Sequence, residues 1–189
     1  MRSQLLLRPA KDSDAVALTA VWAEVLRRGD HDQQVEDVRQ IIDRVSALHD
    51  ERVVVAEIDG EVVGGVHLKS TTFSPINLEP VVQAISPHVL PDFRRHGVGS
   101  ALMDAAVAFA EELGIAHVGT AVNASARDSN RFMARLALGP VATLRVAPTS
   151  AVKGRLQAQR PVSARTSGRH LPRVLAARRS MRRGDSSDG

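Results

Sequence analysis

The sequence contains no cysteine and very few aromatic residues. Its 189 residues include no Cys, no Tyr, one Trp and four Phe. Without cysteine the chain can form no disulfide bond, no thiol nucleophile and no Cys-ligated metal site. Hydrophobic residues still make up 43% of the chain, so the core must be built mainly from Val, Leu, Ile and Ala.

Long apolar runs are also absent. No run approaches the ~18 residues that a membrane-spanning helix needs, and the N-terminus lacks the apolar core of a signal peptide. The seven histidines show neither HxH nor HExxH spacing, so we predict no metal site. From these absences we expect a soluble, cytoplasmic protein that has no membrane partner.

The formal net charge of +4 hides a division of charge along the chain. Residues 153–189 hold ten Lys or Arg and two Asp, a net charge of +8, whereas residues 1–152 have a net charge of −4. Beyond residue 156 large apolar residues are too sparse to offset the loss of chain entropy on folding. We therefore predict one domain over residues 1–156 and a basic, flexible tail over 157–189, with at most a short helix over 170–181.

The hydrophobic pattern predicts an α/β protein. Apolar residues at helical or strand spacing, together with turn signals such as Asp59-Gly60, give the order β-α-α-β-β-β-α-β-α-β. The predicted strands cover residues 5–7, 52–58, 62–68, 81–90, 117–122 and 141–146, and the predicted helices cover 16–26, 35–48, 98–113 and 125–138. A loop is predicted over residues 72–80. This order is typical of a mixed sheet with helices on its faces.

A loop rich in arginine and glycine separates the strand predicted over 81–90 from the next helix. It contains Arg94, Gly97 and Gly99. Glycines let a ligand approach the backbone, and the first turn of a helix has N–H groups without intrahelical partners at the positive end of the helix dipole. The loop is therefore typical of a phosphate or pyrophosphate site. Its spacing, Arg-x-x-Gly-x-Gly, differs from the dinucleotide-binding GxGxxG and lacks the Gly-Lys-Ser/Thr ending of a P-loop.

The loop and the order of elements together resemble the GNAT superfamily of N-acetyltransferases over about residues 4–150. The resemblance implies a GNAT-type mixed sheet of about six to seven strands with helices on both faces, and acetyl-coenzyme A as the co-substrate. It also implies that the strand over 81–90 splays from the strand over 117–122 around the pantetheine arm, with a bulge at Pro87. The residues that it places against coenzyme A are Val89, Leu90, Arg94, Arg95, His96, Gly97, Val98, Gly99, Ser100, Asn123, Asn130 and Met133.

The last predicted helix departs from the family pattern. The family signature commonly reads Asn-x-x-Ala-x-x-Leu-Tyr-x-x-x-Gly-Phe; here Ala126 stands at the Asn position and Ala137-Leu138 at the Gly-Phe pair. Met133 stands at the position of the tyrosine that commonly protonates the departing thiolate. A thioether has no proton to donate. One alternative is therefore a degenerate GNAT domain that binds acyl-coenzyme A without turnover.

An N-acetyltransferase also needs a group that leaves the acceptor amine neutral before attack. An amine with a pKa near ~10 is mostly protonated at neutral pH, so a general base accelerates the reaction. His88, on the strand that would face the thioester, is the favoured base because imidazole titrates near neutrality. Ser86, two residues earlier, is expected to hold a water. Glu57 and His67 on the predicted hairpin are weaker candidates.

The expected acceptor is a small-molecule or peptide amine. Acidic residues gather in and near the first two helices, and they mildly favour a cationic amine: Glu24, Asp30, Asp32, Glu36 and Asp37. Because the chain has no Cys, an acetyl-cysteine intermediate is excluded and direct transfer in a ternary complex is expected.

The basic tail leaves two further alternatives open. It could bind anionic partners such as nucleic acid, which is less expected because charge runs are usually solvated. A homodimer completed by apolar residues of the tail is the other alternative.

Overall fold

The computed structural model describes residues 4–123 and 125–159. They fall into two compact units, of which one ends at Gly139 and the other begins at Pro140. Most of the predicted basic tail, with its helix over 170–181, lies outside the described residues. The predicted domain boundary at residue 156 therefore stays a prediction.

A five-stranded sheet forms the centre of the first unit, with the strands in the order β1-β2-β3-β4-β5. The strands are β1 (Leu5–Pro9), β2 (Glu51–Ile58), β3 (Glu61–Ser74), β4 (Asn77–Val89) and β5 (Val118–Thr120). Neighbouring strands from β1 to β4 are antiparallel, and β5 runs parallel to β4. The predicted mixed α/β sheet is confirmed.

The described helices of this unit are α1 (Ala15–Val21), α2 (His31–Ser46), α3 (Val98–Glu112) and α4 (Arg127–Arg135), and the second unit contains α5 (Thr149–Gln159). Short 3-10 turns precede α1 and α3, at Asp12–Asp14 and Pro91–Phe93. None of the described helices has the length and apolar character that crossing a membrane requires.

Two apolar clusters hold these layers together, one on each face of the sheet. Val53 and Val55 of β2 pack with α1 and α2, whereas Val54 and Ala56 of the same strand pack with α3. Successive residues of a strand point to opposite faces, so a continuous Val run serves both clusters. Phe109 of α3 is 1% exposed, and burying such a side chain contributes about 1.5–3 kcal/mol. Helices therefore cover both faces, as the sequence predicts.

The sheet has five strands rather than the expected six to seven. Residues 141–146, expected to form the last strand, have no regular structure, and Val141, Leu144 and Val146 are 83–89% exposed. Alternating Val and Leu residues give this segment strand propensity, but a strand is stable only when a neighbour completes its backbone hydrogen bonds. No described strand pairs with it.

The predicted loop over 72–80 was also wrong. β3 continues to Ser74 and β4 begins at Asn77, so only Pro75 and Ile76 form the turn. The Ser74 hydroxyl oxygen accepts hydrogen bonds from the N–H groups of Ile76 at 3.3 Å and Asn77 at 3.0 Å. Pro80 suggested a loop, but it pairs opposite Thr72 in the strand.

Helix α1 lies directly on the backbone of β3. A Cβ built on Gly65 would lie only 2.5 Å from Leu18 Cδ2 and 3.6 Å from Trp22 Cζ2. Any side chain at this position would therefore force the buried Leu18 side chain to repack or α1 to shift. The glycine sets the spacing between α1 and the strand beside the candidate site.

Candidate active site

The pairing between β4 and β5 ends well before β4 does. The last paired residues are Ala84 and Thr120, and the Thr120 hydroxyl donates to the Ala84 carbonyl oxygen over 2.8 Å. β4 continues to Val89, whereas β5 ends at Thr120. Beyond Ala84, this side of β4 therefore has no strand partner among the described residues, and it is the stretch on which the family resemblance places the pantetheine arm.

A bulge at Ser86 and Pro87 lies within this unpaired stretch of β4. The register between β3 and β4 shifts between Gly65 and His67, so two residues of β4 oppose one residue of β3. Ser86 has a left-handed backbone with φ of 49°, which costs about 1–2 kcal/mol for a residue with a Cβ. Pro87 has no N–H to continue the ladder. The predicted bulge is confirmed, and it redirects Ser86 and His88.

The loop after β4 leads directly into α3. Arg95 and Gly97 both have left-handed backbones, with φ of 66° and 82°. A Cβ built on Gly97 would meet no atom within 4 Å, so the space beside this residue is open. The helix begins without a side-chain cap, and the N–H of Ala101 donates to the Gly97 carbonyl oxygen over 3.0 Å.

The first turn of α3 presents free donors. Among the described residues, no hydrogen-bond partner faces the N–H groups of Val98, Gly99 and Ser100, and the turn holds no acidic side chain. Val98 is 1% exposed and anchors the turn in the core. Free N–H groups at the positive end of a helix dipole suit an anionic group such as a pyrophosphate.

The arginines near this turn form no ion pair, and neither do Arg28, Arg127, Arg145 and Arg155 among the described residues. The other described arginines before this loop, apart from Arg28, form ion pairs: Arg8 with Asp14 and Glu57, Arg27 with Asp37, Arg39 with Asp12 and Glu36, Arg44 with Glu51, and Arg52 with Glu112. Arg94 and Arg95 in the loop are exposed and have no acidic partner among the described residues, and the same holds for Arg131 and Arg135 of α4. Their charge is therefore available to an anion.

Helix α4 lies beside the glycine loop. The Phe132 ring would be 3.6 Å from a Cβ on Gly99, and the Arg135 guanidinium lies 5.8 Å from the centre of that ring. Met133, the next residue, is 7% exposed and packs in the core cluster with α3. Its predicted contact with coenzyme A stays a prediction.

Asn123 and Asn130 are brought together before α4. The Asn130 amide donates to the carbonyl oxygens of Asn123 at 2.9 Å and Ala126 at 2.8 Å. The Asn123 side-chain oxygen accepts from the backbone N–H and the hydroxyl of Ser125, at 3.0 and 2.8 Å. These bonds shape the start of the helix in the way that Asx turns do. Whether either residue also binds coenzyme A stays a prediction.

His88 lies on the sheet face that α1 and α2 cover, because it pairs with Gly65, whose Cβ position meets Leu18 of α1. Its Nδ1 atom is buried and has no hydrogen-bond partner among the described residues. Buried polar atoms nearly always have a partner, so the missing partner makes this atom a candidate for contact with a substrate or a water. Val89 packs on the α3 face and Leu90 on the α1 side, and both connect the bulge to the loop.

The two weaker candidates for the base, Glu57 and His67, already have charged side-chain partners. Glu57 accepts a hydrogen bond from Arg8 Nε at 2.8 Å. His67 Nε2 lies 3.0 Å from Glu51 Oε2. Burial lowers the pKa of His67 despite this carboxylate. Burial alone would raise the pKa of Glu51, but its hydrogen bonds from Lys69 and His67 outweigh this and hold that pKa below its usual range.

The acidic residues near α1 and α2 are partly neutralised. Asp37 pairs with Arg27 at 2.5 Å and Glu36 with Arg39 at 2.7 Å. Asp30 caps α2 by accepting from the Gln33 N–H at 3.0 Å, which also explains why the helix begins before the predicted residue 35. No group of three or more His, Asp or Glu suited to a metal ion occurs in the described part of the chain.

The acetyltransferase (GNAT) family matches residues 18–138. The chain belongs to the GNAT family. Among sequences, an uncharacterized N-acetyltransferase of Archaeoglobus fulgidus is 37% identical over 76 residues, which are 40% of this chain and 52% of that protein. The GNAT chain thus aligns with about half the length of this curated relative.

Solved structures share the fold at low sequence identity. A transcriptional regulator from Bacillus halodurans has a TM-score of 0.67 at 18% identity, covering 77% of this chain and 100% of the regulator. An aminoglycoside N-acetyltransferase in complex with coenzyme A has a TM-score of 0.66 at 16% identity, covering 79% of this chain and 97% of that one. A glucosamine-6-phosphate N-acetyltransferase from Arabidopsis thaliana has a TM-score of 0.62 at 13% identity, covering 77% and 99%. These structures therefore confirm the predicted fold.

Sequence reasoning missed two neighbours of the site, Phe132 and Trp22. Both were assigned only to apolar helix faces. Phe132 directly precedes the family's tyrosine position, and its place beside Gly99 follows only from how α4 packs. The indole N–H of Trp22 donates to the Ser86 carbonyl oxygen over 2.9 Å, across 64 residues of sequence. No local pattern in the sequence signals such a contact.

Proposed function

We propose that this GNAT protein transfers the acetyl group of acetyl-coenzyme A to an amine. The observation that carries the proposal is the first turn of α3, where free N–H groups, open space beside Gly97 and unpaired arginines coincide just after the stretch of β4 that has no β5 partner. This first turn suits the pyrophosphate of coenzyme A, so acetyl-coenzyme A is the co-substrate. The complex of the aminoglycoside N-acetyltransferase with coenzyme A supports this assignment.

The reaction needs no cofactor held by the protein. The neutral amine attacks the thioester carbonyl carbon, a C–N bond forms, the C–S bond breaks, and coenzyme A leaves as its thiolate. His88 accepts the proton of the amine, directly or through a water held by Ser86. The buried Nδ1 of His88 supports this role because no described protein group competes for a hydrogen bond with it.

The leaving thiolate has no tyrosine to protonate it. Met133 is buried, and its thioether has no proton to donate. We propose that solvent protonates the thiolate and that positioning with electrostatic stabilisation provides most of the acceleration. Because the tyrosine is missing, the alternative is a domain that binds acyl-coenzyme A without turnover.

The acceptor is proposed to be a cationic amine of a small molecule or a peptide. Glu24 and Asp32 form no ion pair among the described residues, so some negative charge near α1 and α2 remains unneutralised. The aminoglycoside and glucosamine-6-phosphate acetyltransferases act on amines. That similarity is one of fold, so it supports the class of acceptor and no particular compound.

Binding and turnover are tested separately. Thermal melting with coenzyme A should show stabilisation that grows with ligand concentration, about 2.7 kcal/mol at a hundredfold excess over Kd. Thiol release from acetyl-coenzyme A is then followed with a panel of amines. His88→Gln should abolish most of the release and keep coenzyme A binding, whereas His117→Gln serves as the matched control. Binding without release from any amine would favour the non-catalytic alternative, and an absence of binding would contradict both.

A further inference from the structure

The end of α1 is tied to the bulge that carries the candidate catalytic residues. Trp22 directly follows α1 and is 4% exposed. Its indole N–H donates to the Ser86 carbonyl oxygen over 2.9 Å. Its ring edge also lies 3.6 Å from the position that a Cβ on Gly65 would take, opposite His88. One side chain is therefore bonded to β4 and lies close to β3 at the bulge.

The bulge needs such a contact. The backbone of Ser86 is in the left-handed conformation, which is unfavourable for a residue with a Cβ. Pro87 provides no N–H, so the bulge has fewer ladder bonds to fix the orientation of the Ser86 peptide. A hydrogen bond from a rigid, buried indole selects one orientation of that peptide. The close packing of Leu18 on Gly65 holds α1, and with it Trp22, at the required distance.

We infer that Trp22 is a positioning residue: its indole N–H fixes the Ser86 peptide and thereby the direction in which Ser86 and His88 face the bound thioester. This inference rests on the proposed function. Trp22 acts through the bulge, and among the described residues its side chain has no hydrogen bond or cation–π contact with the α3 turn or the loop arginines. The binding of the pyrophosphate should therefore be independent of it, whereas the chemical step should depend on it.

The chain contains a single Trp and no Tyr, so tryptophan fluorescence reports on the surroundings of Trp22 alone. Coenzyme A and acetyl-coenzyme A are titrated into the unmodified protein while tryptophan emission is recorded. We expect the emission to change with the same Kd that thermal melting gives, and more with the acetylated form. Saturable binding that leaves the emission unchanged would overturn the inference. An absence of binding by melting would instead contradict the proposed function.

Trp22→Phe removes the indole N–H and keeps an aromatic ring. We expect kcat to fall about tenfold, the effect of losing one hydrogen bond to the reacting geometry, with the KM for acetyl-coenzyme A changed less than about twofold. Val38→Ala, in the same core cluster on α2, is the matched control that lowers stability without touching the bulge. An unchanged kcat in Trp22→Phe, or an equal fall in Val38→Ala, refutes the role. If Trp22→Phe does not fold, or no amine supports turnover, the emission titration decides.

Discussion

Gly97 allows the cost of backbone strain to be separated from the loss of ligand binding. Its φ of 82° is left-handed, and a Cβ would meet no atom within 4 Å. Gly114, at the other end of α3, has the same two properties with φ of 66°. Replacing either residue by Ala should cost about 1–2 kcal/mol from strain alone, or about 2–8 °C in Tm. Equal losses are expected because neither position has a neighbour to clash with.

A charge at Gly97 adds an effect that strain does not produce. In Gly97→Glu, a carboxylate about 6 Å from a phosphate at an effective dielectric of about 20 repels it by about 2.8 kcal/mol, or about a hundredfold in Kd. Gly97→Gln has nearly the same shape without the charge, so the difference between the two variants isolates electrostatics. Calorimetric titration with coenzyme A, at low and at high salt, measures both.

Three results would refute this reasoning about the loop. One is coenzyme A affinity in Gly97→Glu equal to that of Gly97→Gln at low salt. Another is weaker binding in Gly114→Ala than in Gly97→Ala. The third is a loss of stability confined to one of the two Ala variants, which would show that strain is not shared as the φ angles indicate.

Four further predictions follow from packing, strain and charge. Gly65→Ala should lower stability by about 1–3 kcal/mol through overpacking against Leu18, whereas Gly119→Ala, whose Cβ would be 3.4 Å from Val81 Cγ2, should cost less in the same denaturant titration. Ala137 has a φ of 63°, so Ala137→Gly should raise stability by about 0.5–1 kcal/mol, and Ala134→Gly within α4 should lower it. Met133→Tyr should destabilise by about 1–3 kcal/mol in chemical denaturation because a larger, polar side chain enters the core; unchanged stability would show that the side chain finds space at the site. In the folded protein the pKa values of His67 and Glu51 lie below their ordinary values. As pH falls, the unfolded chain therefore binds protons at a higher pH than the folded protein does, and Tm should fall below about pH 6.5 and again below about pH 4.3. Glu51→Gln should flatten the lower part of that profile.

The sequence was sufficient for features that depend on local patterns. The loop from Arg94 to Gly99 combines glycine spacing, a preceding apolar strand and a following amphipathic helix, and each signal is contained within a few residues. Pro87 likewise identified the bulge, since proline cannot donate to a ladder. The start of α3 at Val98 is also as predicted.

The misses concern contacts between distant residues. Residues 141–146 carry strand propensity, but propensity does not supply a pairing partner. The turn at Pro75 and Ile76 was predicted as a longer loop because turn-forming residues do not show how far the flanking strands extend. Trp22 was assigned to a helix face, and its bond to Ser86 depends on the distance between α1 and β3 that Gly65 permits. Such information arises only when the elements pack.

The way the sheet is connected has a consequence for how the chain folds. β2, β3 and β4 follow one another from Glu51 to Val89 through tight turns, so their pairings are local in sequence. β1 must instead reach across α1 and α2, since Leu5 pairs with Ile58. Loop closure makes such distant pairings slower to form. We therefore expect the three-strand meander to gain amide protection first during refolding and β1 to join the sheet late.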